Sequence, residues 1–551
     1  MGETPSEFYF NSDVAFLHFR LKQDTFATVA LMLRAAVADH YSRQRGVDVT
    51  HYVFRIDLDD TTDEFVGEAL VTVRFTDDVG RRFWLDLASP SPSRAGGLSV
   101  RGVRCGDAAA AFEQEADRLW IALGEPPADG ESRTFAISYR GVPAAGLRAL
   151  TDPYIGRVWY AENWPDKTHL WLPVIDHPSD KATSEFVVTA PSRYQVVANG
   201  ALREERERGD GRRTTRWSQN VPIPAWHNVI AVGQFHSTPG NPVRGIPVEV
   251  WTYPYHNPLA SPLSDESRRA LGFFSARVGP YPYQKLGAVE AVSAFDGMEN
   301  ASVIFYSDRA INGRDLAPLV GHEVSHQWFG GSVTQCDWND IWLSEGFATY
   351  CALLYIEDTR GREPFLRGLL RSRDLILTAE AADPRATVVH ADLDDTRRVI
   401  NPIVYEKGGW TLHMLRGLVG TDVFWAGLRA YYEKHKNSNA SSDDFRRVME
   451  KVSGKDLGWF FTQWLKRPGT PTLGLSWSYD RTARQVLVEL SQRQEGEPYR
   501  LPLQVELLYA DDKATRLATI EFVTRRQRFA ISTEAEPSSI VLDPEHWVLF
   551  K

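Results

Sequence analysis

Residues 321–330 read GHEVSHQWFG, in which His322 and His326 stand four apart and Glu323 adjoins the first. On a helix advancing about 100° per residue, such histidines lie about 40° apart and one turn up the same face, so both imidazoles can reach one ion. Asp315 is placed to cap that helix, and Pro318 is tolerated in its first turn. Val320, Val324 and Trp328 form a stripe on the other side, suited to a core. Glu323 stands where it can hold a metal-bound water. A second helical pattern, NDIWLSEGFATYCALLYIED, carries Glu345 19 residues after His326, enough for a turn and a return. His322, His326 and Glu345 then complete the His2Glu set of a catalytic zinc with an open fourth position. In such a site zinc lowers the pKa of a water. Glu323 takes its proton and returns it to a leaving amine. Buried without a metal, the same groups would cost on the order of several kcal/mol.

The elements that must position these residues follow from hydrophobic periodicity. At 551 residues the chain exceeds what one core serves, so three or four domains are expected. With 43% hydrophobic and 24% charged residues and no low-complexity tract, the composition excludes extensive disorder. From His51 onward, Phe54, Ile56 and Leu58 alternate with polar residues, and GEALVTVRF repeats the pattern, so a hairpin opens a β-rich region. Near Ser264, a candidate N-cap, the period becomes helical and stays so to Leu465. Beyond KRPGTP, the stretches LGLSWSY, QVLVELSQ, LPLQVELLY and ATIEFVT predict a β-sandwich. The expected division is an extension over 1–46, a β domain over 47–245, a catalytic domain over 246–467 and a sandwich over 468–551.

Net charge is −10 with no basic block, which argues against nucleic acid as a partner. Cys105, Cys336 and Cys351 are too few for a disulfide framework and lack CxxC spacing, and Cys336 and Cys351 read as buried thiols rather than ligands. No apolar run reaches the ~18 residues of a membrane span. Residues 25–41 are apolar and end in Ala36-Val37-Ala38 before Asp39, which is signal-like. Asp24 and Arg34 flank or interrupt the run, and an amphipathic helix is the plainer reading. Both a cytoplasmic and an exported location fit, and oligomeric state is not legible.

The combination of HExxH, eighteen residues and a Glu with DGMEN at 296–300 resembles the M1 (gluzincin) metallo-aminopeptidases. GPYPYQKLGAVEA, VYEKGG at 404–409, LPVIDHPSDKA and IPAWHNVIAVGQF extend the resemblance. It implies a multidomain α+β fold: an N-terminal β-rich saddle, a thermolysin-like, mainly helical catalytic domain and a C-terminal β-sandwich. The chain stops after the sandwich, so the large C-terminal helical domain of many relatives is not expected in it. The resemblance also implies one zinc per chain and peptide substrates with a free N-terminus. Glu299 would hold the substrate amine, with Gly297, Met298 and Asn300 around it, and Tyr405 would donate to the oxyanion. A fixed carboxylate near zinc would turn a general peptidase into an N-terminal trimmer.

Two departures stand out. Where relatives carry Gln-x-Glu, this chain has Glu162 on the Gln position and Trp164 on the Glu position. Glu162 is then a candidate replacement amine anchor, and Trp164 a candidate wall of the first side-chain pocket. Asp296 replaces a glycine and adds a carboxylate at the pocket mouth, which would favour basic N-terminal residues. The alternatives are an epoxide hydrolase or another zinc peptidase on the same scaffold, which would not need a free amine, and a non-catalytic scaffold, which would not need zinc.

Overall fold

In the computed structural model, described over residues 39–76, 79–312, 315–510 and 515–551, the alternating pattern after residue 46 forms two paired strands. Val47–Asp57 runs antiparallel to Phe65–Phe75 with Phe54 opposite Ala69. Their apolar faces are buried, as period-two patterning requires. The two strands lie inside an eight-stranded sheet, in which Val47–Asp57 pairs parallel with Lys181–Pro191. Beside it, a four-stranded sheet carries Gly146–Asp152 and Gly156–Glu162, and the latter strand delivers Glu162 and then Trp164 to the centre of the molecule. The signal-like segment lies outside the described residues except for its end, where Asp39 accepts a hydrogen bond from the Trp338 amide at 3.0 Å.

A five-stranded sheet over 236–307 extends into the region expected to be mainly helical. Its inner strands Ile246–Thr252, Leu286–Ala291 and Val303–Ser307 run parallel, and the last two are buried at every position. They show no alternation because both faces are covered. Strand His236–Val243 pairs with Ile246–Thr252 across the expected boundary at 245/246. The short edge strand Gly297–Met298 pairs with Val303–Ser307 and brings Asp296 to Glu299 beside the helix that carries His322. The helix expected to start at Ser264 runs over Ala260–Arg277. The turn Pro254–Leu259 leads straight into it, leaving Ser264 as a buried interior residue.

The helices Ala317–Ser325, Trp342–Arg360, Arg362–Ala382, Gly408–Val419 and Thr421–His435, followed by Ser442–Ser453 and Gly458–Leu465, pack as the catalytic body. Two three-stranded sheets close the chain, one led by Leu473–Asp480 and one centred on Leu501–Leu508. Val486, Val488 and Leu490 of one sheet and Leu501, Leu503 and Val505 of the other are fully buried, as in a sandwich core. Among the described residues, no helix is long and apolar enough to cross a membrane, and the three cysteines are free thiols.

Candidate active site

The helix Ala317–Ser325 ends at the second histidine, earlier than the hydrophobic pattern suggests. Five residues after Ser325, the chain turns at Gly330. Its φ is +111°, and a Cβ there would lie 2.2 Å from Ser344 Oγ, so only glycine allows the chain to turn against the next helix. The N-cap position falls on Leu316 rather than on the expected Asp315, whose Oδ1 accepts from the Ala317 amide at 3.3 Å and whose carboxylate pairs with Arg360. Val320, Val324 and Trp328 are fully buried, anchoring the face opposite the histidines. Across the turn, Trp342–Arg360 presents Glu345 from its first turn.

The three expected ligands converge. His322 Nε2 and His326 Nε2 are 3.1 Å apart, and Glu345 Oε2 lies 3.6 and 3.5 Å from them. Donor atoms about 2 Å from a common tetrahedral ion would be separated by roughly 3.3 Å, so the set fits zinc in both chemistry and spacing. His326 Nδ1 lies 3.1 Å from Phe329 O and 3.0 Å from Ser344 Oγ. An Nδ1–H donated to that carbonyl leaves Nε2 bare and aimed at the centre. Burial alone would lift the Glu345 carboxyl, but His326 and His322 hold it well below the usual range.

A cleft of about 320 Å³ opens over this centre. Its walls include Trp164, Asp296, Gly297, Glu299, Glu323 and Tyr405 together with all three ligands. Burial pushes the Glu323 carboxyl far above its ordinary range, and Glu323 Oε2 has no hydrogen-bond partner among the described residues. A buried acceptor left unsatisfied is costly, which suits a group waiting for a water. Glu299 is also buried and its carboxyl raised, chiefly by burial. Tyr405 stacks parallel to His322, ring centres 6.4 Å apart. Trp164 stacks on Trp338 at 5.3 Å between ring centres, and Trp226 packs tilted against Trp338 at 5.2 Å.

Other expected residues take different positions. Glu162 is not in the cleft wall. Its Oε2 accepts from Ser293 Oγ at 2.9 Å and the Ala294 amide at 3.3 Å, and its Oε1 lies 3.4 Å from Arg148. These partners turn it to the loop ahead of Asp296 and out of the cleft lining. Met298 is buried in the core, and Asn300 Nδ2 turns back to Met298 O at 3.4 Å, so neither lines the cleft. Gly297 makes a close approach, but to Glu323: a Cβ there would lie 2.2 Å from Glu323 Oε1. Asp296 stands at the rim, 3.7 Å from Arg309 Nε.

Sequence reading missed the residues that tie the parts together. Gln327 Nε2 donates to Glu299 O at 3.0 Å while its Oε1 accepts from the Ser302 amide at 2.8 Å, so the residue after His326 clips the Glu299 segment in place. The only signal was a polar residue between His326 and the apolar pair Trp328-Phe329.

Comparisons place this geometry among known proteins. Residues 265–464 match the Peptidase family M1 domain and residues 48–226 the Peptidase M1 N-terminal domain. Glutamyl aminopeptidase of Bitis rhinoceros is 24% identical over 82% of the chain and 49% of its own length. Aminopeptidase M1-D of Oryza sativa subsp. japonica is 28% identical over 55% of the chain and 36% of its own. The chain thus spans about half, or less, of the length of the curated relatives it matches. In fold it resembles Legionella pneumophila aminopeptidase A, solved with aspartic acid, at TM-score 0.79 and 18% identity over 93% of this chain and 60% of that one. A mutant M1 zinc metallopeptidase from Deinococcus radiodurans aligns at TM-score 0.66 and 24% identity over 78% of this chain and 96% of that one. With both domain models matched in order over more than half of its residues, and a His2Glu centre within the second, the chain belongs to the M1 peptidase family.

Proposed function

We propose that this chain is a zinc-dependent aminopeptidase that hydrolyses the N-terminal bond of peptides with a free amine. The observation that carries the reading is the convergence of His322, His326 and Glu345 in one cleft with the buried carboxylates Glu299 and Glu323 and with Tyr405. His322, His326 and Glu345 would hold the ion, which supplies Lewis acidity toward a water and a carbonyl. Glu299 binds the substrate ammonium, whose charge offsets that of a carboxylate buried in the wall. Glu323 takes the proton of the attacking water and delivers it to the leaving nitrogen. Tyr405 donates its hydroxyl proton to the oxygen that gains charge in the transition state.

Trp164, where relatives carry an acid, gives the first side-chain pocket an aromatic wall, and Glu299 is left as the amine anchor. Asp296 at the rim favours basic N-terminal residues, moderated by the nearby Arg309. The test is a panel of Arg-, Leu- and Ala-amides, each free and N-acetylated, with the enzyme zinc-loaded, chelated and reloaded. Cleavage of the free amides alone, lost on chelation and restored by zinc, is expected. Equal cleavage of acetylated substrates would remove the amine anchor, and activity indifferent to chelation would remove the metal.

A further inference from the structure

Tyr405 sits in a π-helical turn, Ile403–Lys407. Such turns are uncommon, and they occur frequently at functional sites. Asn401 Oδ1 closes the front of the turn, accepting from the Ile403 and Val404 amides at 2.8 and 3.1 Å. At its back stands Lys407, which is completely buried. Lys407 Nζ donates to Glu380 Oε1 at 2.9 Å and to Gly469 O at 2.8 Å. Glu380, on the helix Arg362–Ala382, also accepts from Thr470 Oγ1 at 2.8 Å. One buried ion pair therefore joins three parts: the turn bearing Tyr405, a catalytic-body helix, and the link into the C-terminal sheets.

Buried ion pairs are poor sources of stability, because desolvation consumes most of the attraction and apolar replacements are often as stable. Their better-attested use is to fix one arrangement among several. The turn is well placed for that use. On its other side Gly408 and Gly409 press backbone to backbone on Gly346, the neighbour of Glu345. The turn can thus rotate only if the Lys407 side chain yields.

We propose that Lys407 and Glu380 are positioning residues for Tyr405: their ion pair, completed by Gly469 and Thr470, sets the rotation of the π-turn that presents the hydroxyl to the substrate. This rests on Tyr405 acting on the substrate as described above.

The test compares the zinc-loaded full chain with Tyr405→Phe, with a triple variant (Lys407→Met, Glu380→Leu, Thr470→Val) and with all four changes together. The triple variant removes both charges and the hydroxyl, and Gly469 O keeps the Tyr499 hydroxyl at 2.9 Å. It should retain zinc and melt near the parent, with KM within about twofold and kcat lower by about 10- to 100-fold, the scale of a misplaced group. In the Tyr405→Phe background the same three changes should cost less than about threefold, since acting through one residue makes effects non-additive. A crystal structure of the triple variant should show the Tyr405 ring displaced from His322. An undiminished kcat in a folded triple variant, or an equal loss in both backgrounds, would overturn the proposal. A normal kcat in Tyr405→Phe itself would overturn the role of Tyr405 and this inference with it. If the triple variant does not fold, Glu380→Gln, which keeps the shape and drops the charge, is read by the same cycle.

Discussion

Glu323 combines three properties that a general base in this cleft needs: burial, a free acceptor oxygen and proximity to the ligand set without belonging to it. Glu323→Gln keeps the volume and leaves His322, His326 and Glu345 untouched. Zinc content should match the parent while kcat falls by about 10²–10⁴, the usual worth of a positioned base. Near-normal turnover in a zinc-replete variant would end the assignment. Tyr405→Phe should lower kcat by about 10²–10³, as for one lost oxyanion donor. At the rim, Asp296→Asn should reduce kcat/KM for Arg-amide about two- to fivefold relative to Leu-amide. An exposed pair contributes no more than about 1 kcal/mol. An unchanged ratio would show that Asp296 does not read the side chain. The ligands were legible because metal chemistry ties residue type to helical spacing. Gln327 and Trp338 were not, since each acts through a partner 25 or more residues away, which spacing does not reveal.

At the scale of elements, the two helices that carry Glu345 and follow Tyr405 meet through glycine. A Cβ on Gly346 would lie 2.9 Å from the Gly408 carbonyl carbon and 3.0 Å from its Cα, both backbone atoms with no freedom to swing aside. Two effects oppose each other in Gly346→Ala. Helix propensity favours alanine by about 1 kcal/mol. Overpacking against a rigid backbone costs about 1–3 kcal/mol. The second should win, so the variant should melt below the parent and lose kcat as Glu345 and Tyr405 are pushed apart. A variant that melts higher with full activity would show that the helices separate freely. Elements with one exposed face were read well from sequence: the hairpin Val47–Asp57 and Phe65–Phe75, the long helices and the C-terminal strands. The five-stranded sheet was not, because Leu286–Ala291 and Val303–Ser307 are covered on both sides and present only short apolar runs. The helix Ala317–Ser325 was drawn too long because an apolar stripe continues through Trp328 while the backbone turns at Gly330.

Across the whole molecule, two lysines, Lys285 buried and Lys181 half-buried, staple the N-terminal sheets to the catalytic body in opposite directions. Lys285, from the catalytic side, donates to Ala198 O at 2.8 Å and Gly200 O at 2.6 Å. Lys181, at the head of the strand Lys181–Pro191, donates to Gly331 O at 3.0 Å, Ser332 O at 2.7 Å and Thr334 Oγ1 at 2.9 Å. The acceptors of Lys181 lie in the turn just after Gly330, and the same turn carries Phe329 O, which orients His326. The N-terminal sheet thus reaches the metal centre through one side chain. Lys181→Met keeps the stem and removes the donor. Thr334 Oγ1 lies 2.8 Å from Gly330 O and 3.0 Å from Gly331 O, and its one proton can satisfy only one of them, so the loss falls on Ser332 O and in part on Gly331 O. One buried carbonyl left unpaired costs about 1–3 kcal/mol, and the melting temperature should fall by several degrees. A second effect separates this staple from ordinary packing. With the turn loosened, the orienting contact on His326 weakens, and the zinc dissociation constant should rise by about tenfold or more, the scale for lost outer-shell partners. Lys285→Met, whose acceptors lie away from that turn, should lower the melting temperature without changing zinc affinity. Equal zinc affinities for the two variants would show that the N-terminal sheet supports the fold and leaves the metal centre alone.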